Sequence, residues 1–176
     1  MNGDLQSIVS ELLADTIDVS AEGIDRQIAR ALRRIGEFAG VDRSYIFETD
    51  GTRMSNTHEW CRDGVRPEKP NLQNVPVEAY QWCMSHILQR RVLHIARVAD
   101  LPDGQPDKEL LRAEGIQSLL AVPIATNEKV IGLLGFDAVR EEKEWTGDTV
   151  SLLTIVGSII GNALQRTRTE RMLRRE

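Results

Sequence analysis

Cysteine is scarce in this sequence, and its scarcity excludes one class of small protein. The 176 residues contain two cysteines, Cys61 and Cys83. Disulfide-stabilised secreted domains carry many more cysteines for their length. A chain of this size can instead bury about 70% of the surface that its unfolded form exposes. The sequence therefore predicts one domain with flanking helices, held together by a hydrophobic core.

Basic residues are also in the minority. Lys and Arg number 22 against 27 Asp and Glu, which gives a formal net charge of −5. Such a balance provides no general signal for nucleic-acid binding. The five arginines within 166–176 are interpreted as a solvated helix end, where cations complement the helix dipole. We therefore predict no nucleic-acid partner.

Long hydrophobic runs are absent as well. No stretch reaches the roughly 18 consecutive apolar residues that span a bilayer. The first residues, MNGDLQSIVSELL, carry acidic side chains rather than the cationic start of a signal peptide. We also find no internal repeat and no low-complexity segment. The sequence predicts no membrane span and a cytoplasmic location.

Catalytic motifs are missing too. No Ser/His/Asp order, phosphate loop or paired-carboxylate pattern stands out. The carboxylate-rich run at 137–144, DAVREEKE, is interpreted as a solvated loop that approaches a helix. We therefore expect no catalytic residue.

Two apolar runs at 119–125 and 130–139 dominate what is present. Only the polar residues 126–129 separate them, and so short a link predicts an antiparallel hairpin. Each run is apolar at nearly every position, which is typical of a strand covered on both faces. Gly132 and Gly135 lack side chains, so we expect something to approach the sheet closely there.

Other segments predict the elements around this hairpin. Strand formers and an Asp50-Gly51 turn predict a first hairpin, and apolar residues at helical spacing predict the helices. Ser20, Asp107 and Thr146 are the expected helix N-caps, and Gly40 is the expected C-terminal stop. The predicted strands are 44–48, 53–60, 92–96 and the two apolar runs, and the predicted helices are 5–13, 20–39, 76–89, 108–114 and 146 onward.

The loop at 62–75 is long for a compact domain, and such loops are usually functional or mobile. Aromatic residues make up only 5% of the chain, yet several lie in the two early strands and just after this loop. That grouping predicts a pocket between the sheet and residues 62–90. The alternative is ordinary core packing.

The His and Cys residues offer the ligand set of a structural zinc site. His58 and Cys61 are three residues apart on a predicted strand, so their side chains point to opposite faces. Cys83 and His86 share a helix face, but two ligands do not complete a tetrahedral site. We therefore expect no metal and interpret both cysteines as small hydrophobic residues.

The central hairpin also carries a family resemblance. The pattern GIQSLLAVPI, a short polar turn and then KVIGLLGFDAVR resembles the last two strands of a GAF domain, and the resemblance extends over about residues 24–164. It implies an α/β (α+β) fold with a central antiparallel sheet of five or six strands. Terminal helices are then expected on one face of the sheet and a ligand pocket on the other.

GAF domains bind cyclic nucleotides, tetrapyrroles, haem, small metabolites or no known ligand, so the cofactor stays unknown. The thioether-forming Cys motif of bilin-binding members and the Asn-Lys-Phe-Asp-Glu signature of cyclic-nucleotide members are both absent. In this family the segment equivalent to 62–75 forms a wall or lid of the pocket. The predicted ligand-binding residues are Tyr45, Phe47, His58, Trp60 and Trp82.

The resemblance implies a non-catalytic sensory domain that binds a small molecule and signals through its terminal helices. The output domain in the parent protein would be a kinase, as in two-component systems, or a diguanylate cyclase of cyclic-di-GMP signalling. No output motif lies in these residues. One alternative is a thiol enzyme like the GAF-type free methionine sulfoxide reductase, using Cys61 and Cys83. Another is a dimerisation module without ligand.

The last helix carries two apolar stripes, whereas packing on one sheet face needs only one. We therefore predict a parallel homodimer through the terminal helices, with the fold-back of helix 5–13 within one chain as the alternative. The expected division is a helix and linker at 1–19, a GAF domain at 20–165 and a signalling extension at 166–176. The two stripes are Leu152, Val156, Ile159 and Ala163, and Leu153, Ile160 and Leu164.

Overall fold

Six strands and five helices make up the computed structural model, which describes residues 3–17 and 23–175. The helices are α1 (Gly3–Ile17), α2 (Ile24–Ala39), α3 (Gln81–Leu88), α4 (Pro106–Ala113) and α5 (Gly147–Arg175). The strands are β1 (Arg43–Thr49), β2 (Arg53–Cys61), β3 (Val75–Pro76), β4 (Leu93–Ile95), β5 (Ser118–Ala125) and β6 (Val130–Ala138).

The strands form one sheet in the order β3-β2-β1-β6-β5-β4, and every neighbouring pair is antiparallel. The expected α/β (α+β) fold is therefore confirmed. The hairpin of β5 and β6 turns at residues 126–129, where the Thr126 hydroxyl accepts the Lys129 amide. Every residue of β6 is buried, as its continuous apolar run predicted.

One face of the sheet packs against α1, α2 and α5. The apolar stripes of α5 are buried there except for the half-buried Ile159, because β5 and β6 cover one side of the helix and α1 lies across another. Leu5, Ile8 and Leu12 supply the apolar side of α1. The sheet and α1 of the same chain therefore cover α5 together, which is the fold-back alternative, and the homodimer stays a prediction.

Helix α5 is long and apolar enough over residues 147–174 to cross a membrane, judged by length and composition alone. Its apolar side chains instead pack on the sheet, and Leu152, Leu153 and Val156 are fully buried. A core helix of a soluble domain has the same composition, because it too buries apolar surface on several sides.

Two predicted helix ends are confirmed. Gly40 follows α2 with a left-handed φ of 70°, a conformation that glycine adopts without strain. The Thr146 hydroxyl accepts the Thr149 amide at 3.3 Å and so caps α5. The predicted Ser20 cap lies outside the described residues.

Asp107 caps a different helix from the one expected. Helix α4 starts at Pro106 with Gln105 as its N-cap, so Asp107 already lies inside the first turn. Its carboxylate accepts the amides of Trp82 at 3.4 Å and of Cys83 at 2.9 Å, in the first turn of α3. Asp107 thus joins α4 to α3 and satisfies amides that α3 cannot pair internally.

The close approach predicted at Gly132 and Gly135 is made by strand β1. A Cβ on Gly132 would lie 2.2 Å from the carbonyl oxygen of Phe47, and one on Gly135 would lie 2.6 Å from the Tyr45 ring. These glycines therefore let the two central strands and their side chains pack tightly.

We expect Gly132→Ala to lower the free energy of unfolding by about 1–3 kcal/mol, since the added methyl group meets rigid backbone. Chemical denaturation measures the effect. Gly147→Ala is the control, because a Cβ there has nothing within 4 Å and a change of at most about 0.5 kcal/mol is expected. Equal effects for the two variants would contradict the proposed clash.

Candidate functional site

A cavity of about 60 Å³ lies between the sheet and the segment that contains α3 and α4. Alternation along the strands aims every second side chain of β1, β5 and β6 into it. Helix α3 contributes Cys83, Met84 and Ile87, which share one helix face. Most of the wall is apolar, including Phe47, Met54, Leu72, Leu111, Leu119 and Leu133.

One end of the cavity is polar. Asp137 of β6 lies two residues beyond Gly135, and Gly135 pairs directly with Tyr45 of β1. Because Gly135 has no side chain, the Tyr45 ring lies over it, and its hydroxyl donates to the Asp137 carboxylate at 2.6 Å. Arg43 and Tyr45 are two residues apart on β1, so both side chains face the cavity. The other charged residues that line it are Glu59, Glu68 and Glu114.

Arg43 is the single cation among the residues that line the cavity. Its side chain is 2% exposed, its Nη1 lies 3.4 Å from Asp137, and its Nη2 donates to the backbone carbonyl of Glu114. The Nε of Arg43 is buried and has no hydrogen-bond partner among the described residues. This end of the cavity therefore contains a buried donor without an acceptor.

Burial changes the acidity of the carboxyl groups at the polar end. It raises the pKa of Asp137 to about 7, against the opposing effects of Arg43 and Tyr45. It raises the pKa of Glu114 to about 8, and the negative charges of Asp137 and Glu68 add to that increase. The pKa of Tyr45 is raised by the same burial and by Asp137.

The two remaining carboxylates hold the loop after β2 in place. Glu59 accepts the backbone amides of Glu68 and Lys69 at 3.2 Å. Glu68 is 5% exposed and its carboxylate pairs with Arg66 at 2.8 Å. The 62–75 loop is thus fixed against β2 through side chains that also line the cavity.

Comparison with known proteins now identifies the family. Residues 24–164 match the model of the GAF domain. The chain belongs to the GAF domain family.

A curated relative and solved structures agree with this assignment. The chain is 34% identical over 152 residues to the methanogenesis regulatory histidine kinase FilI of Methanothrix harundinacea, covering 83% of this chain and 17% of that protein. The chain therefore spans less than a fifth of that relative.

Solved GAF domains share the fold at low identity. The phycocyanobilin-bound GAF domain of a cyanobacterial phytochrome superposes with a TM-score of 0.77 and 17% identity, covering 97% of each chain. The blue-light absorbing PixJ GAF domain of Thermosynechococcus elongatus gives 0.72 and 15% identity, covering 89% of this chain and 94% of that one. At such identity the likeness concerns the fold alone.

The GAF domain brings only some of the predicted binding residues together. Tyr45 and Phe47 line the cavity with their rings edge to face, 5.6 Å apart. Trp82 is half-buried and packs on His86, because its position on α3 lies away from the helix face that Cys83, Met84 and Ile87 present to the cavity.

His58 and Trp60 lie on the opposite face of the sheet. His58 pairs with Asp25 of α2 at 2.8 Å, and Trp60 packs against Gly36 of the same helix. A register irregularity in β2 skips Thr57, so Asn56 and Glu59 both face the cavity and His58 and Trp60 face the helices. The structure therefore separates these two from Tyr45 and Phe47, whose binding role stays a prediction.

Sequence reasoning missed the charged residues of this site. Asp137 was assigned to a solvated run, but it is 3% exposed and central to the polar end. Its interruption of the long apolar run 130–139 was the available signal, because a lone carboxylate within a buried strand needs partners. No comparable signal marked Arg43, Glu59, Glu68 or Glu114, which come together only in the folded chain.

The two cysteines are poorly suited to thiolate chemistry. Burial and the nearby Glu59 raise the pKa of Cys61 to about 12, and burial and Asp107 raise that of Cys83 further. A reactive cysteine needs the opposite shift. Within residues 3–17 and 23–175, no group of three or more His, Cys, Asp or Glu side chains is arranged to hold a metal ion.

We expect Glu114→Gln to change how stability depends on pH. The carboxyl pKa rises from 4.5 in the unfolded chain to about 8 in the fold, so the folded state retains a proton that the unfolded state releases. Stability then falls as pH rises through this window. The variant, which stays neutral, should be more stable than wild type at about pH 8 by about 1–3 kcal/mol.

That difference should shrink toward about pH 5, where the Glu114 carboxyl is protonated in the fold. Denaturant titrations at a series of pH values measure it. Glu109→Gln on the same helix is the control, because the Glu109 side chain is 70% exposed. A gain for Glu114→Gln that is independent of pH would contradict the raised pKa.

Proposed function

We propose that this GAF domain is a non-catalytic sensory domain, in which a small molecule bound in the cavity changes the terminal helices and so regulates an output domain. The observation that carries the proposal is the cavity on one face of strands whose other face packs against α5. Leu119 and Ala121 face the cavity, whereas Leu120 and Val122, which alternate with them along β5, face α5. A ligand that displaces β5 therefore displaces the contacts of the helix.

A second connection runs through β1. Phe47 lines the cavity, and its neighbour Glu48 accepts a hydrogen bond from Arg168 of α5 at 2.6 Å. Arg168 lies near the end of α5, beyond the buried apolar stripes. Movement of Phe47 would thus displace Glu48 and, through Arg168, the part of α5 that leads toward the proposed output domain.

The cavity size favours a compact ligand. Pockets for drug-sized ligands have volumes of about 300–1,000 Å³, and the cavity here measures about 60 Å³. Several solved relatives hold bilins according to their descriptions, among them phycocyanobilin and biliverdin. A bilin would require large rearrangement here, so we propose a small metabolite.

The output domain is proposed from the curated relative, a regulatory histidine kinase in which the matched region forms 17% of the length. A kinase of the two-component type is the first expectation and a diguanylate cyclase is the second. We also keep the predicted cytoplasmic location. A homodimer stays a prediction, and its apolar contact surface would now include Met172 and Leu173, which are 68% and 66% exposed at the end of α5.

We expect the purified protein to retain a small molecule after incubation with cell extract, detected by native mass spectrometry. Ala121→Leu should lose it, because Ala121 is 2% exposed and lines the cavity, so the larger side chain fills the space. Ala125→Leu on the exposed end of the same strand is the control and should retain it. No retained molecule in wild type would favour a ligand-free dimerisation module.

We expect Glu48→Gln to loosen the end of α5 while costing little stability. The ion pair with Arg168 is partly exposed, and such pairs contribute about 0–1 kcal/mol. Hydrogen–deuterium exchange should increase over residues 165–175. Glu37→Gln, which removes the exposed Arg33 pair on α2, is the control and should leave α5 unchanged. Unchanged exchange in Glu48→Gln would remove the β1 connection from the proposal.

A further inference from the structure

We infer that the cavity binds a compact organic amine, with its ammonium group among the carboxyl groups, a neutral oxygen against Arg43 and a short aliphatic body on the apolar wall. The inference rests on the proposed small-molecule sensing and names the class of ligand. Charge, an unpaired donor and cavity size each support one part of it.

The charges that line the cavity favour a cation. Among the lining residues, four carboxyl groups, those of Glu59, Glu68, Glu114 and Asp137, stand against the guanidinium of Arg43, and Arg66 outside the lining pairs with Glu68. An anionic ligand would enter among like charges, which is unfavourable in a buried site, whereas an ammonium group would gain opposite charges. The aromatic ring of Tyr45 at this end can also face a cation.

The unpaired Nε of Arg43 points to an acceptor on the ligand. The Arg43 side chain is 2% exposed, and this nitrogen has no partner among the described residues. A buried donor left unpaired is unfavourable, so a ligand oxygen that accepts its hydrogen is favoured. The Asp137 carboxylate and the Glu114 carbonyl already engage the other nitrogens, so a neutral oxygen suffices.

The rest of the ligand must be short and apolar. Beyond the polar end the wall consists of residues such as Met54, Leu72, Met84, Ile87 and Leu133. The small size of the cavity favours a branched chain of a few carbons over a ring system. An amine with a hydroxyl group and an isobutyl body combines all three features.

Binding of such an amine should depend on pH. Charged and titratable groups face Glu114 and Asp137 from every element packed around them. They are Arg43 and Tyr45 on β1, Glu59 and Cys61 on β2, Glu68 on the following loop, Tyr80 before α3 and Cys83 on α3.

Arg66 on the same loop pairs with Glu68 and donates to the carbonyl of Ala113 beside Glu114. Arg43 is the cation that lowers the pKa values of Glu114 and Asp137, and burial and the other carboxylates raise them. An incoming ammonium group lowers both pKa values and displaces protons. Affinity for an amine therefore increases as pH rises, whereas affinity for a carboxylate ligand decreases.

Isothermal titration calorimetry with four probes that share one aliphatic body tests the inference. Leucinol has an amine and a hydroxyl, 3-methylbutylamine has only the amine, leucine is zwitterionic, and 4-methylpentanoate is an anion. We expect leucinol to bind most tightly, 3-methylbutylamine several-fold more weakly, and the other two weakest. Leucinol should bind at least about fivefold more tightly at about pH 8 than at about pH 6.

Three variants test where the ligand binds. Glu114→Gln should weaken leucinol binding and reduce its pH dependence, whereas Glu109→Gln on the exposed side of α4 should leave both unchanged. Ala121→Leu should abolish binding, because it fills the cavity. Circular dichroism establishes that each variant is folded before titration.

The outcomes separate this inference from the proposed sensing function. Tighter binding of 4-methylpentanoate or leucine than of leucinol, or affinity that falls as pH rises, would overturn the amine and leave sensing intact. Equal affinity for leucinol and 3-methylbutylamine would overturn the role of Arg43. If no probe binds but native mass spectrometry finds a retained molecule, only the ligand class is wrong. If neither method finds binding, the sensing function fails as well.

Discussion

The contact between Arg43 and Asp137 joins the two central strands where the cavity ends. Their side chains are 2% and 4% exposed, and Nη1 of Arg43 lies 3.4 Å from the Asp137 carboxylate. Removing one partner of a buried pair leaves the other charge uncompensated, which is strongly destabilising. Tyr45, the Glu114 carbonyl and the cavity itself are all arranged around this pair.

The sheet that contains this pair has a hydrophobic core on each of its two faces. Alternate residues of β1, β5 and β6 pack against the terminal helices on one side and line the cavity on the other. Such strands cannot shift on one side without repacking the other, because both clusters are dense and buried. This arrangement gives the domain a physical route from an occupied cavity to α5, with the Glu48–Arg168 contact as a second link.

The polar groups of the cavity also make the fold less stable. Glu114 and Asp137 have raised pKa values because the fold buries them, and Arg43 retains an unpaired donor. Each feature is unfavourable by itself, and the proposed ligand would relieve it with matching groups. Sites that bind small molecules commonly concentrate such costs, since preorganised polar groups bind more tightly than groups that must rearrange.

Local patterns in the sequence predicted most elements of this protein and their order, although not the short strand β3. Continuous apolar runs predicted the β5–β6 hairpin, and Gly40 and Thr146 marked helix ends, because these signals depend on neighbouring residues alone. The resemblance to GAF domains then predicted how these elements assemble into one antiparallel sheet with the terminal helices on one face.

Only the tertiary structure decided the site. Arg43 and Asp137 are distant in sequence, and strand pairing alone brings them together. The β2 residues illustrate the same limit, since a register irregularity near Ile46 and Phe47 and the position of α2 place His58 and Trp60 on the helical face. The sequence likewise did not determine that α1 packs on α5. An apolar helix face predicts that the face is buried but not which surface covers it.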